Sequence, residues 1–389
     1  MKIFFDSRLI NYAGLGRYER ELIAELLKLN PDIIFYVIGE KNKITSYIKD
    51  FNLNPKNFVI IDLKINKYTF SEQFKLISII KNMEGKVDFF LFPHFNIPFL
   101  YVPKKSVVIV HDLTFFHFPQ YFGRIKTMLA KLVLKNVLIK AKKIITVSNF
   151  VKNDIINMFG SDSNKHKNLK LDNNILQNKI NVVYSGYSPK FQPAPENKIK
   201  EFKIKNNLDR FLLYCGNRKK HKNLINLIKA FQEVKKEFVD LKLVLIGKRF
   251  EKPDKPDFID DFINKNGIKD VISIEYASDD DLNLYYSASS AFVFISLSEG
   301  FGFAPLEALA SGAKLILADN SALPEIFKNA AIYVNPYDIN DIAKAVKKTL
   351  KLTINDENAV KKTAIKEVLN SYPNDLWAKN ILEILSNLN

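Results

Sequence analysis

The chain has 389 residues, 47% of them apolar and 12% aromatic, with a formal charge of +16 at neutral pH. That length exceeds what one hydrophobic core normally organises, and the apolar share is enough for two cores; two domains are expected and a largely disordered chain is excluded. Cys215 is the only cysteine, which rules out an intrachain disulfide and a cysteine-based zinc or iron–sulfur site and fits a reducing, cytoplasmic compartment. The positive charge points to an anionic partner such as nucleic acid, a membrane surface or a phosphorylated substrate; a Lys-, Asn- and Ile-rich composition also accounts for part of it.

In chain order, "MKIFFDSRLI" opens with a short apolar run broken by Asp6, which reads as a strand and not as a signal peptide. Further strand candidates follow at 32–39, 58–63, 88–93, 106–112, 143–148 and 180–184. A second series lies at 210–216, 242–247, 271–277, 291–296, 314–319 and 331–336. These runs are nearly continuous in apolar and β-branched residues and alternate with helical patterns, the mark of parallel strands covered on both faces. The greasiest stretch, 88–103, is too short to span a bilayer and contains Pro93, His94, Asn96 and Pro98. Residues 161–179 are polar with little periodicity and read as an inserted surface loop. The stretch "GYSPKFQPAPENK" (186–198) carries three prolines between the two series and reads as the linker. The chain closes on an amphipathic helix with Trp377, Ile381 and Leu385 at four-residue spacing. An α/β protein with two doubly wound domains follows.

The stretch "EGFGFAPLEALASG" (299–312) carries the most chemistry. Pro305 suits a first helical position, which puts Glu307 in the first turn, where a carboxylate gains from the helix dipole. That alone leaves Gly300 and Gly302 unexplained. The two glycines admit close backbone approach, and the N–H groups of the loop and helix start form an anion site at the carboxyl end of strand 291–296. Glu299, just before them, is better placed to accept hydrogen bonds from hydroxyls than to touch phosphate.

A phosphate next to hydroxyls describes a nucleotide sugar. Residues 299–308 match the pattern E-G-F-G-x-x-x-L-E-A, and 293–325 throughout resembles the donor-site region of glycosyltransferase family 4, retaining enzymes of the two-domain GT-B fold. Many members have proline where Ala304 stands. The resemblance implies that Glu307 accepts ribose hydroxyls and Glu299 positions the transferred sugar, while Gly300, Phe301, Gly302, Phe303 and Ala304 hold the diphosphate. In "YCGNRKKHKNL" (214–224) it assigns Arg218 and Lys222 to the donor's phosphates; the plainer reading is a basic loop before a helix. In "IVHDL" it places His111 facing the donor sugar, and His94 in "FPHFN" is similar to a segment near the acceptor cleft. Gly14 and Gly16 in "GLGR" correspond to a glycine-rich loop lining the cleft; a dinucleotide fingerprint is excluded by the missing third glycine and the long loop after Asp6. "SDDDLNLYY" (278–286) reads as a capping box, Ser278 with Asp281, and not as a metal site. The resemblance likewise implies no metal and no cofactor beyond the nucleotide-sugar donor.

From His117 to Asn153 no acidic residue occurs, while Arg124, Lys131, Lys135 and Lys142 fall on one helical stripe. This is either a solvated helix face or a basic surface, within 124–143, that holds the protein on the anionic inner face of the plasma membrane, where lipid-linked acceptors reside. Nucleic acid is not expected, since no binding motif accompanies the charge.

The expected architecture is therefore α/β, GT-B, with two Rossmann-like domains facing a central cleft. Residues 1–190 form an acceptor domain, residues 191–371 a donor domain, and a final helix near 372–389 returns to the first. The implied activity is transfer of a hexosyl unit to a saccharide or polyprenyl-linked acceptor in surface polysaccharide synthesis. "GLGRYERELI" and "HDLTFFHFPQYF" look most like mannosyltransferases, which favours a GDP-sugar. An epimerase or phosphorylase of the same fold, or a non-catalytic membrane-surface binding protein, remain as alternatives.

Overall fold

The structure is a computed structural model that describes residues 1–65, 69–161, 171–249, 257–351 and 359–388. The chain forms two compact units, one from Met1–Gly186 together with Asn374–Asn389, the other from Tyr187–Pro373.

The first unit is built on seven parallel strands: β1 (Lys2–Asp6), β2 (Ile34–Gly39), β3 (Phe58–Asp62), β4 (Phe89–Phe92), β5 (Ser106–Val110), β6 (Lys143–Thr146) and, after a two-residue pair β7 (Gly160–Ser161) and β8 (Leu171–Asp172), β9 (Ile180–Val182). They lie in the order β3-β2-β1-β4-β5-β6-β9. Strands β1, β4, β5 and β6 are almost wholly buried because helices cover both faces. The final helix, Asn374–Ser386, packs on the helix Ala13–Leu29 of the same unit. Trp377 is fully buried there, its ring 4.6 Å from that of Tyr18 and its Nε1–H donating to the Tyr18 hydroxyl. An indole can be buried this deeply because its one polar atom has a partner.

The second unit has six parallel strands, β10 (Phe211–Cys215), β11 (Lys242–Ile246), β12 (Val271–Ile274), β13 (Ala291–Phe294), β14 (Leu315–Ala318) and β15 (Ala331–Val334), ordered β12-β11-β10-β13-β14-β15. Both sheets reverse their winding once: between β1 and β4 in the first unit, between β10 and β13 in the second. In open parallel sheets the crevice beyond the carboxyl ends of the strands at such a reversal is where ligands bind.

The segment expected as a surface loop is in part helical. Asn173–Lys179 is a helix, with the Asp172 carboxylate accepting from the N–H groups of Asn174 and Ile175, and with Leu176 buried; residues 162–170 lie outside the described residues. A helix of seven residues carrying one buried apolar side chain has too few repeats to show a period. Among the described residues no helix is long and apolar enough to cross a membrane.

Candidate active site

The reversal in the second sheet brings the loops after β10 and β13 together. After β13 the chain runs through Glu299 and the glycines into the helix Phe303–Ala310. This corrects the expected helix start. Gly302 is the N-cap and Pro305 the third helical residue, so Glu307 lies beyond the first turn. The reason is local: Gly302 has φ of +110°, a conformation open to glycine at little cost, so the chain turns into the helix before the proline. A Cβ at Gly302 would also stand 3.0 Å from Leu323 and 3.2 Å from Phe327. Gly300, Phe301 and Gly302 are buried, whereas Phe303 and Ala304 are partly exposed. The intrahelical ladder begins with Leu306 N–H donating to the Gly302 carbonyl, and Pro305 has no N–H. The helix start therefore presents its first-turn donors at Phe303 and Ala304.

Glu307 is 3% exposed and accepts from the Tyr286 hydroxyl at 3.2 Å. A carboxylate this deep is a bonded structural group as well as a ligand candidate, and no longer a surface charge serving the dipole. Glu299 is half-buried and forms an ion pair with Lys222, Nζ to Oε1 2.5 Å, across the reversal point. Lys222 also stands 5.3 Å from the Phe294 ring centroid. Ser321, at φ +55°, accepts from the Glu299 N–H through its hydroxyl and fixes the backbone there.

Arg218 is 1% exposed. Its Nη1 donates to Asp260 at 2.8 Å and to Asp257 at 3.4 Å. Its Nε and Nη2 are buried without a hydrogen-bond partner among the described residues. A buried guanidinium that leaves two nitrogens unbonded gives up charge-assisted hydrogen bonds that such a group normally makes. Asp257 caps the helix Phe258–Lys265 by accepting from Ile259 and Asp260, and Arg249 reaches Asp260 at 3.1 Å. Asp257, Asp260, Arg249 and Ser321 were missed by sequence reasoning. "DFIDD" carried a signal for the first, an Asp directly before a helical run; for the others the contact is made only in the fold.

In the first unit, His111 follows β5. Its Nε2–H donates to the Pro93 carbonyl at 2.7 Å, and its ring meets Tyr18 edge-on at 4.5 Å. Burial pushes its pKa down, outweighing the Pro93 carbonyl and Asp112, so the imidazole is neutral with its hydrogen on Nε2. Gly14 and Gly16 were expected in a glycine-rich loop; instead both lie in the first turn of the helix Ala13–Leu29. Gly16 is dictated by packing, since a Cβ would sit 2.3 Å from the Ile10 carbonyl oxygen, while Gly14 has open space around it. The reversal point of this sheet holds a buried network that the sequence reading did not assemble. Arg8 donates through Nε and Nη2 to Asp6, through Nη1 to Glu72, and through Nη2 also to the Asn96 carbonyl. His94, buried, has Nε2 at 3.6 Å from Asp6, and its Nδ1 accepts from the Asn96 N–H.

Ser278 caps its helix, accepting from Asp281 N–H at 3.1 Å. Among the described residues no three His, Cys, Asp or Glu side chains converge as a metal site.

Two Rossmann-like sheets, the final helix folded back on the first, and polar loops at the reversal of the second define the GT-B architecture. Solved structures of that class superpose over the full chain. Anabaena Alr3699/HepE, in complex with UDP and glucose, covers 100% of both chains with a TM-score of 0.76 at 13% identity. Residues 195–367 match the family described as Glycosyl transferases group 1. The chain is similar to O-antigen chain mannosyltransferase B of Escherichia coli, 24% identical over 90% of this chain and 91% of that protein. It is also similar to O-antigen chain mannosyltransferase RfbU of Salmonella typhimurium, 28% identical over 65% of this chain and 62% of that one. The protein is a glycosyltransferase.

Proposed function

We propose that the protein is a retaining hexosyltransferase that takes its sugar from a nucleotide-diphosphate donor, with GDP-mannose favoured, and adds it to a saccharide or polyprenyl-linked acceptor in cell-surface polysaccharide synthesis. The mannosyl preference rests on the names of the relatives. The donor site rests on one observation, the two unbonded, buried N–H-bearing nitrogens of Arg218 at the carboxyl end of β10. A diphosphate oxygen is the group that satisfies them without displacing Asp257 or Asp260.

In this reading the diphosphate lies against Arg218 and the N–H groups of Phe303 and Ala304, and it draws Lys222 away from Glu299. The freed carboxylate then accepts hydroxyls of the transferred sugar, and Glu307 accepts those of the ribose. His111, neutral and tied through Nε2, keeps its Nδ1 lone pair as an acceptor. As the bond from C1 to the phosphate oxygen breaks, negative charge grows on the departing diphosphate, where Arg218 and Lys222 stabilise it. The acceptor oxygen bonds to C1 on the same face and its proton passes to the departing phosphate oxygen. The protein's own groups supply charge and position, and the reaction needs neither a metal nor a further cofactor.

The test is to incubate the protein with GDP-mannose and, separately, UDP-glucose, each with polyprenyl-linked saccharide acceptors and EDTA, and to read the product's anomeric configuration by NMR. Acceptor-dependent release of one nucleotide with retained configuration supports the proposal. Donor conversion without acceptor, a requirement for inorganic phosphate, or no turnover with either donor would contradict it.

A further inference from the structure

The centre of the acid-free stretch is one helix, Arg124–Lys140, and the structure shows a feature of it that charge alone does not. One face is packed in the first unit through Thr127, Leu134, Val137 and Leu138. On the opposite side Ile125, Met128, Leu129, Leu132 and Ile139 are between 48% and 73% exposed. At 3.6 residues per turn these five fall within an arc of about 100°. Arg124, Lys131 and Lys135 line one edge of that arc, Lys126 and Lys140 the other. Asn136 lies within the arc, and its Nδ2 donates to the Phe99 carbonyl at 2.5 Å. That bond sets the exposed Phe99 and Leu100 beside the helix and extends the apolar surface.

A solvated helix face does not carry five large apolar side chains in register. A protein partner or a second copy could cover them, but a second copy would bring two cationic borders together. Nucleic acid would place its phosphates over the apolar centre. A bilayer with anionic headgroups meets both demands: the apolar arc enters the acyl boundary and the flanking cations reach the phosphates on either side. We propose that the helix Arg124–Lys140, with Phe99 and Leu100, lies in the interface of an anionic leaflet with Ile125, Met128, Leu129, Leu132 and Ile139 inserted below the headgroups. This goes beyond the donor site and does not depend on it.

The experiment is flotation of the full chain with vesicles of phosphatidylcholine alone and of phosphatidylcholine mixed with phosphatidylglycerol, without nucleotide or acceptor. Wild type is expected to float with the mixed vesicles and to keep part of that binding at high salt. Leu129→Ser with Leu132→Ser, both at exposed positions, is expected to bind at least about tenfold more weakly, with unchanged far-UV circular dichroism. Lys126→Glu with Lys140→Glu should lose the preference for phosphatidylglycerol. Wild type failing to float, or the serine variant floating as well as wild type, would overturn the proposal. So would a wild-type dimer that the serine substitutions make monomeric, which would give the arc to a second copy. Nucleotide affinity measured on the same serine variant keeps the two proposals separate: a failed flotation with intact nucleotide binding refutes only this one.

Discussion

Each sheet holds one buried arginine at the point where its winding reverses, and the two are spent differently. Arg8, just after β1, has all three guanidinium nitrogens bonded, to Asp6, Glu72 and the Asn96 carbonyl. Arg218, just after β10, is anchored through Nη1 alone, and its other two nitrogens are buried and unbonded. Both carry the same charge at equivalent places in similar sheets. The first serves the fold; the second is held by two aspartates in a geometry that leaves hydrogen-bonding capacity for an anion. Counting satisfied donors separates the two roles where charge and burial do not.

The largest effect is expected from Arg8→Ala, which strands Asp6 and Glu72 as buried carboxylates and should cost about 3–5 kcal/mol in urea unfolding; a loss under about 1 kcal/mol would mean the network does not hold the fold. Next is Arg218→Lys. The lysine can keep the contact with Asp260 but lacks the planar fork, so turnover should fall about 10²-fold with a stability loss well below that of Arg8→Ala. Wild-type turnover in this variant would put Arg218 in the same structural role as Arg8. Glu299→Gln breaks the pair with Lys222 and should slow transfer about tenfold while leaving free-nucleotide affinity within about twofold; equal losses in both would remove the sugar contact.

The smallest effect is in the pH dependence. Burial raises the Asp6 pKa, but the charge of Arg8, that of His94 and the Arg8 hydrogen bonds together outweigh it, so the folded value lies below the ordinary one. The stabilisation is then present above the unfolded pKa and is lost as pH falls through the folded value. The difference in stability between wild type and Arg8→Ala should therefore be flat from about pH 5 to 8 and shrink below about pH 4. A difference that shrinks instead on going from neutral to alkaline pH would contradict this sign.

Much of the fold was legible because strands covered on both faces read as unbroken apolar runs. All thirteen strands of the two large sheets, from "KIFFD" to "AIYV", were visible that way. Glu299 and Glu307 were legible because glycines and a helix start frame them, and Arg218 and Lys222 because they follow a strand. The sequence misled where one residue pulls against its neighbours. Pro305 pointed to a helix start, while the positive φ of Gly302 begins the helix earlier. Gly14 and Gly16 looked like a ligand loop, but Gly16 is demanded by the Ile10 carbonyl against which it packs. The partners of the two arginines stayed hidden because Glu72, Asn96, Asp257 and Asp260 lie 39 to 88 positions away in the chain. Only the crossovers of the sheets bring them together. The apolar arc of Arg124–Lys140 was missed for a related reason: its exposed and buried apolar residues encircle the helix, and burial alone tells them apart.

The most direct test of the unspent arginine is calorimetric titration of GDP, UDP and dTDP, with EDTA present, into wild type and Arg218→Lys. Metal-free binding of one of the three nucleotides, weakened at least about tenfold in the variant, is the predicted result. Binding of equal strength in both proteins, or no binding to wild type, would show that the unbonded nitrogens of Arg218 are not a phosphate site.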